Sequence, residues 1–354
     1  MIRRDMRARL EVLLGAVAFA ASVPAGKILL HDVSPLVVSA GFYLSAGLFC
    51  ALLLGMVSRQ SAPSQNRLQG LDWLWLGAAV VAGGILGPIA LFYGLRRTEA
   101  YAAGLLLNFE AVFTVALGTF LSGERVGRRG IVGVVLILAG ALLLSGFGRT
   151  RSGFDPFGAL LVVAACACWG LDNNLTQRVS LRDARQIVAI KGLVGGTASL
   201  ILAFLVGQTG AWPSAATMGT LVLVGAIAYG VSIVLFVRGL RELGIVHTGS
   251  LFALAPGFAA VLSWIFLKEP FGATGSLALL AMTAGALFLT TDVHRHEHTH
   301  PATEHAHEHE HDEHHQHEHL PGELEQVPHA HRHRHEPLTH AHPHTHDAHH
   351  RHPH

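Results

Sequence analysis

The sequence predicts an all-α polytopic membrane protein, with ten transmembrane helices in two inverted five-helix repeats and a disordered histidine-rich C-terminal tail. Three observations carry that reading. The 354 residues are 51% hydrophobic and only 14% charged, a balance ill suited to a water-facing surface. The last 63 residues hold 24 of the 26 histidines and ten apolar residues, so the body before them is about 59% apolar. The body also repeats itself at an offset of 145 residues: Gly94-Leu95-Arg96 returns as Gly239-Leu240-Arg241, Glu124 as Glu269, and Ala139-Gly140-Ala141-Leu142 as Ala284-Gly285-Ala286-Leu287.

Apolar stretches of about 20 residues, enough to cross a bilayer, run over 10–30, 35–57, 71–93, 101–121 and 130–147. Five more follow over 157–176, 187–207, 216–236, 246–266 and 271–291. The connections are short, which leaves no room for a soluble domain between spans. The units are therefore 1–150 for the first repeat, 151–291 for the second and 292–354 for the tail. Arg3, Arg4, Arg7 and Arg9 before an apolar run resemble a signal peptide. The first stretch has a repeat partner in the sixth, however, so it is expected to stay as a helix.

Loop arginines and lysines set the orientation. With the N-terminus in the cytoplasm the inner loops carry 14 of them and the outer loops 5. Both termini, and the tail, are expected to be cytoplasmic. Five helices per half force the two repeats into opposite orientations, which places a solute site at their interface near the midplane. Cys50, Cys166 and Cys168 all lie in apolar stretches, so no disulfide framework is implied. Cys166 and Cys168 point to opposite sides of a helix and are expected to be small core residues.

The segment Ala102-Ala103-Gly104-Leu105-Leu106-Leu107-Asn108-Phe109-Glu110-Ala111-Val112-Phe113-Thr114, closing at Gly123-Glu124-Arg125, resembles the fourth helix of an EamA-type permease of the drug/metabolite transporter superfamily. Ser250-Leu251-Phe252-Ala253-Leu254-Ala255-Pro256 through Leu267-Lys268-Glu269-Pro270 is similar to the same unit. Two departures stand out. The family's proline is present as Pro256 but replaced by Ala111 in the first half, which bears on how the fourth helix bends, and its Gly-Glu appears as Lys268-Glu269 in the second. The resemblance implies an inner-membrane secondary permease of ten helices, often an exporter of metabolites, amino acids or drugs.

An ionisable group inside a span costs about 2.5–3.5 kcal/mol on insertion scales, so each one marks a candidate site. Glu110 falls tenth in a span of 21, two residues after Asn108. Desolvation works against its charged form, which suits a proton or cation carrier; the competing reading is a neutral residue that fixes packing. Trp169-Gly170-Leu171-Asp172-Asn173-Asn174 places three consecutive polar residues toward the inner end of the sixth span, where Lys191 of the seventh could neutralise Asp172 as a gate or as a structural ion pair. Trp169 suits stacking on a substrate ring or cation, or anchoring at the interface. Lys27, near the outer end of the first span, is expected to snorkel to the headgroups. His31 and His247 read as interfacial residues. Gly83-Gly84-Ile85-Leu86-Gly87 offers a G-x-x-x-G spacing for close helix packing or a homodimer contact.

The tail carries 4 basic and 12 acidic residues, against 21 and 12 in the body. Alternation through His294, His296, His298 and His300, and again through His305, His307, His309 and His311, makes a flexible, non-specific chelator for Zn²⁺, Ni²⁺ or Co²⁺. Its two matches to H-E-x-x-H lack the ordered helix a zinc protease needs, so no enzyme activity is expected, and neither is a required cofactor or a nucleic-acid partner. The leading expectation is a secondary transporter of small solutes, acting outward. The alternatives are a divalent-metal permease and a membrane-anchored metal sensor or store that uses the tail.

Overall fold

The computed structural model describes residues 2–56, 68–122, 127–145, 155–179, 182–210, 213–269, 272–290 and, in the tail, 294–300, 303–309, 329–335 and 338–344. The described residues of the ten predicted stretches are almost all helical. Eight segments are long and apolar enough to cross a membrane: α1 (Met6–Leu29), α2 (Pro35–Met56), α3 (Asp72–Arg97), α4 (Ala100–Phe120), α6 (Pro156–Gln177), α7 (Ala184–Leu205), α8 (Ala215–Phe236) and α10 (Gly272–Thr290). The 18-residue α5 (Arg128–Ser145) and the shorter α9 (Ala255–Leu267) complete the set. Helical hydrogen bonding also covers Ser232–Phe252, across the end of α8. The rings of Phe236 and Phe252 nevertheless lie 4.8 Å apart, whereas a straight helix would separate residues sixteen apart by about 24 Å. The chain therefore doubles back within that stretch and returns toward α9.

Large apolar side chains cover the outside: Leu52, Phe120 and Leu205 are 68%, 86% and 77% exposed. Such a surface is stable only against lipid. Inside, glycines let helix backbones meet. A methyl group at Gly192 of α7 would stand 2.6 Å from the Gly47 backbone of α2, and one at Gly285 of α10 would stand 2.6 Å from the Gly133 carbonyl of α5. Without a hydrophobic driving force between helices in lipid, close approach and van der Waals contact supply much of the association. Both pairs join one repeat to the other. Gly83, Gly84 and Gly87 are likewise used within the chain, against Asp172, Gly195 and Trp169, so this glycine stripe is a packing face rather than the homodimer contact offered as an alternative.

The helices depart from regular geometry at matching places. Val80–Leu86 in α3 and Ala226–Val231 in α8 are π-helical, and the 145-residue offset superposes them. α4 breaks at Leu107 and Asn108, where Asn108 N–H bonds the Leu105 carbonyl three residues back, and α9 is preceded by the same break, with Leu254 N–H on Leu251. The bend in α4 thus forms although Ala111 stands where the second half has Pro256.

The described stretches of the tail are extended: β1 (His294–His300) pairs antiparallel with β4 (Leu338–His344), and β2 (Thr303–His309) with β3 (His329–His335). The alternation of histidine has the strand period of two. Two-stranded ribbons are at best marginally stable in water, so these pairs add no core.

Filling one of these backbone-to-backbone glycine contacts tests this packing. Gly192→Ala should cost about 1–3 kcal/mol, as over-packing does, and lower the thermal midpoint in detergent. Gly219→Ala, which meets nothing within 4 Å, should stay within about 0.5 kcal/mol of the parent.

Candidate functional site

The helix interruptions gather the buried polar groups into one place. At the α4 break the Asn108 amide donates to the Leu105 carbonyl at 2.8 Å. Its Oδ1 is buried without a partner among the described residues. Two residues on, Glu110 Oε1 accepts from Asn173 Nδ2 at 2.9 Å, and the same amide reaches Thr114 Oγ1 at 3.1 Å. Asn174 donates to the carbonyls of Thr114 and Gly170 at 3.0 and 2.8 Å. Three consecutive polar residues on α6 therefore serve two directions: Asn173 and Asn174 face α4, and Asp172 faces α3 and α7.

Asp172 is buried, and Lys191 Nζ lies 2.6 and 2.5 Å from its two oxygens. Thr176 donates to the same carboxylate at 2.9 Å. A Cβ at Gly83 would run into the Asp172 carboxylate, so the small residue in α3 makes room for the ion pair. Burying two charges is worthwhile only when each is paired and hydrogen-bonded, and here both conditions hold. The backbone of the π stretch is closed by side chains as well: the Gly83 carbonyl accepts Tyr43 Oη at 2.8 Å and Trp169 Nε1 at 3.1 Å. Tyr43 in turn packs on Tyr229 of the second π stretch, with ring centroids 5.3 Å apart.

The structure thus brings Glu110, Asn173, Asn174, Asp172 and Lys191 into one cluster, with Asn108 at its edge. Two sequence expectations need correction. Trp169 is 6% exposed and bound to a backbone carbonyl, so it is neither an interfacial anchor nor a free stacking surface. Lys27 does not snorkel. Its ammonium donates to the carbonyls of Leu95 and Thr98, both at 2.7 Å, because α3 ends there and its last carbonyls need donors.

Glu269 acts at the next residues. Its two oxygens accept the N–H groups of Ala100 and Tyr101, each at 2.8 Å, capping the start of α4 from the other repeat. The sequence marked Glu269 as a repeat match to Glu124 and as part of the family-like Lys268-Glu269, without a capping role; its position just past an apolar run was the available signal. Gly123-Glu124-Arg125 lies outside the described residues. Nearby, Asp155 caps α6 through Phe157 N–H at 2.9 Å and binds Arg97 at 2.8 Å. Desolvation opposes its charged form, but the Gly158 and Phe157 amides and the Arg97 guanidinium outweigh it and hold the carboxyl below its ordinary value. At the opposite end, the face that carries the N-terminus, Arg182 binds Asp72 at 2.8 Å.

Among the described residues no group of three His, Cys, Asp or Glu side chains is placed to hold a metal ion. The side chains of His247 and of the tail histidines His294, His296, His298, His300, His305, His307, His309 and His311 lie outside the description.

If Glu269 caps α4 across the repeat boundary, Glu269→Ala should lower stability by about 1–2 kcal/mol, the usual cost of losing an N-terminal cap. Glu269→Gln, which retains one acceptor oxygen, should lose less. Thermal midpoints in detergent measure both.

Comparison with known proteins agrees with this architecture. The model of the EamA-like transporter family matches residues 7–146 and again 156–291. An uncharacterized transporter of Methanothermobacter thermautotrophicus is 28% identical over 293 residues, 79% of this chain and 85% of its own. A probable amino-acid metabolite efflux pump of Salmonella typhimurium is 32% identical over 104 residues, covering 29% of this chain and 34% of its own. One crystal structure superposes with a TM-score of 0.57 at 19% identity, over 80% of this chain and 96% of that one, a likeness that speaks for the fold alone. With two family units, multiple apolar spans and a polar centre between them, the chain belongs to the EamA-like transporter family and is a membrane transporter.

Proposed function

We propose that the protein exports small metabolites, amino acids or other amine-bearing solutes among them, by alternating access, with Glu110 as the coupling carboxylate. The carrying observation is the Glu110–Asn173–Thr114 group, set where α4 breaks and α6 of the other repeat crosses it. Glu110 is half-buried and Asn173 exposed, while Asp172 is buried. The first pair is reachable; the second is already satisfied.

Charge and hydrogen bonding favour a cation. The nearby ammonium, Lys191, is engaged by Asp172. Glu110 and the unpartnered Asn108 Oδ1 are acceptors, and an ammonium group or a proton supplies what acceptors lack. A solute ammonium and a proton would then compete for Glu110, and exchange of one for the other drives transport against a gradient. The name borne by the Salmonella relative supports the amino-acid class. The same name, an efflux pump, supports the outward direction.

Glu110→Gln preserves shape and the hydrogen bond from Asn173 but cannot carry a charge. In proteoliposomes loaded with a mixture of amino acids, the parent should release solute under an imposed proton gradient. Glu110→Gln should remain folded in the membrane and lose nearly all gradient-driven release. Wild-type release by this variant would make Glu110 a packing residue.

The tail acts apart from this path. Its histidines bind Ni²⁺ or Zn²⁺, whereas the solute site lies between the repeats. Deleting residues 292–354 should remove most Ni²⁺ capacity, measured by equilibrium dialysis, and leave solute release intact. Loss of release at normal membrane levels would place the tail within the transport mechanism.

A further inference from the structure

Away from the polar centre, a cavity of about 200 Å³ opens where α7 begins and α8 ends, on the face that carries the N-terminus. Asp183, Arg185 and Val188 line one side, and Ile233, Val234 and Arg238 line the other. Nothing in the proposed transport path uses these residues.

The charges of this cavity are unequal. Asp183 Oδ1 accepts the Arg185 backbone N–H at 2.9 Å and Arg185 Nε at 3.1 Å, and Oδ2 accepts Arg185 Nη2 at 2.8 Å. Both carboxylate oxygens are therefore turned toward α7 and its guanidinium. Arg185 has five N–H donors, and these contacts use two of them. Arg238 is exposed at the rim and brings a second fork, so the lining carries one net positive charge. Two guanidinium groups lining one cavity offer more N–H donors than a carboxylate's two oxygens require, and the several oxygens of a phosphate can accept from both.

We propose that this cavity binds a phosphate group, supplied by the headgroup of an anionic phospholipid in the leaflet on the N-terminal side. The depth argues for lipid over a soluble anion. The cavity lies at the ends of two spans, the level of the headgroups, and basic pockets between helices at that level suit anionic lipid. Val188, Ile233 and Val234 give it an aliphatic wall, which a glycerol backbone and the start of an acyl chain can cover and a free phosphate cannot. A lipid held there joins the start of α7, the helix of Lys191, to the end of α8, the helix of Tyr229.

The test uses the full chain purified in detergent, with dioctanoyl phosphatidylglycerol, dioctanoyl phosphatidylcholine and inorganic phosphate as separate probes. Binding is followed by native mass spectrometry and by the thermal midpoint. Phosphatidylglycerol should bind saturably and raise the midpoint, and phosphatidylcholine should do neither. Arg238→Gln should weaken phosphatidylglycerol binding about tenfold, the scale of losing charge-assisted hydrogen bonds, and Arg238→Lys should weaken it less. Circular dichroism and gel filtration confirm that each variant is folded. If inorganic phosphate alone binds as tightly and displaces the lipid, the phosphate site stands and the lipid source is overturned. If Arg238→Gln and Arg185→Gln, both folded, bind phosphatidylglycerol as the parent does, the site is overturned.

Discussion

In hydrocarbon there is no water to satisfy a backbone group that leaves the helical ladder, so every interruption of a span must be closed by other protein groups. Among the described residues the spans are interrupted at the π stretches of α3 and α8, at the breaks in α4 and before α9, and at the turn of Ala21 within α1. Polar side chains collect at those points because the backbone requires them. Tyr43 and Trp169 close the Gly83 carbonyl. The Asn108 amide closes Leu105. Lys27 and Glu269 close the end of α3 and the start of α4.

The same constraint explains how a bilayer protein can hold two carboxylates and an ammonium in one cluster. Asp172 and Lys191 neutralise each other beside a glycine that leaves them room, with Thr176 taking a further bond. Glu110 has an amide partner and, among the described residues, no ion-pair partner, and its proposed coupling role rests on that difference. Much of the packing around them joins one repeat to the other, through Gly47 with Gly192 and Gly133 with Gly285. Motion of one repeat against the other would therefore shift the environment of Glu110 without unfolding either.

Much of this was legible in the sequence for physical reasons. Lipid demands long apolar stretches, so the spans could be read directly, and the 145-residue offset exposed the two repeats. Polar residues inside apolar stretches are costly, so Glu110, Asp172, Asn173, Asn174 and Lys191 stood out. The errors concern backbone needs. Lys27 reads as a snorkelling residue because its partners are carbonyls 68 and 71 positions away. Trp169 reads as an interfacial anchor because nothing in the chain announces the π stretch whose carbonyl it meets. Tyr43, Tyr229 and Thr114 are ordinary tenants of apolar helices until the fold places them beside Glu110 and Asp172.

Alternating access centred on Glu110 requires that its neighbour Asn173 open to each side of the membrane in turn. The direct measurement is labelling of Asn173→Cys, in a chain whose Cys50, Cys166 and Cys168 are replaced by alanine, with a membrane-impermeant thiol reagent. Sealed right-side-out and inside-out vesicles present the two faces separately. Labelling from both faces, slowed by a transported solute, is the expected result. Labelling from neither face, or from one face alone under every gradient, would contradict alternating access at this site.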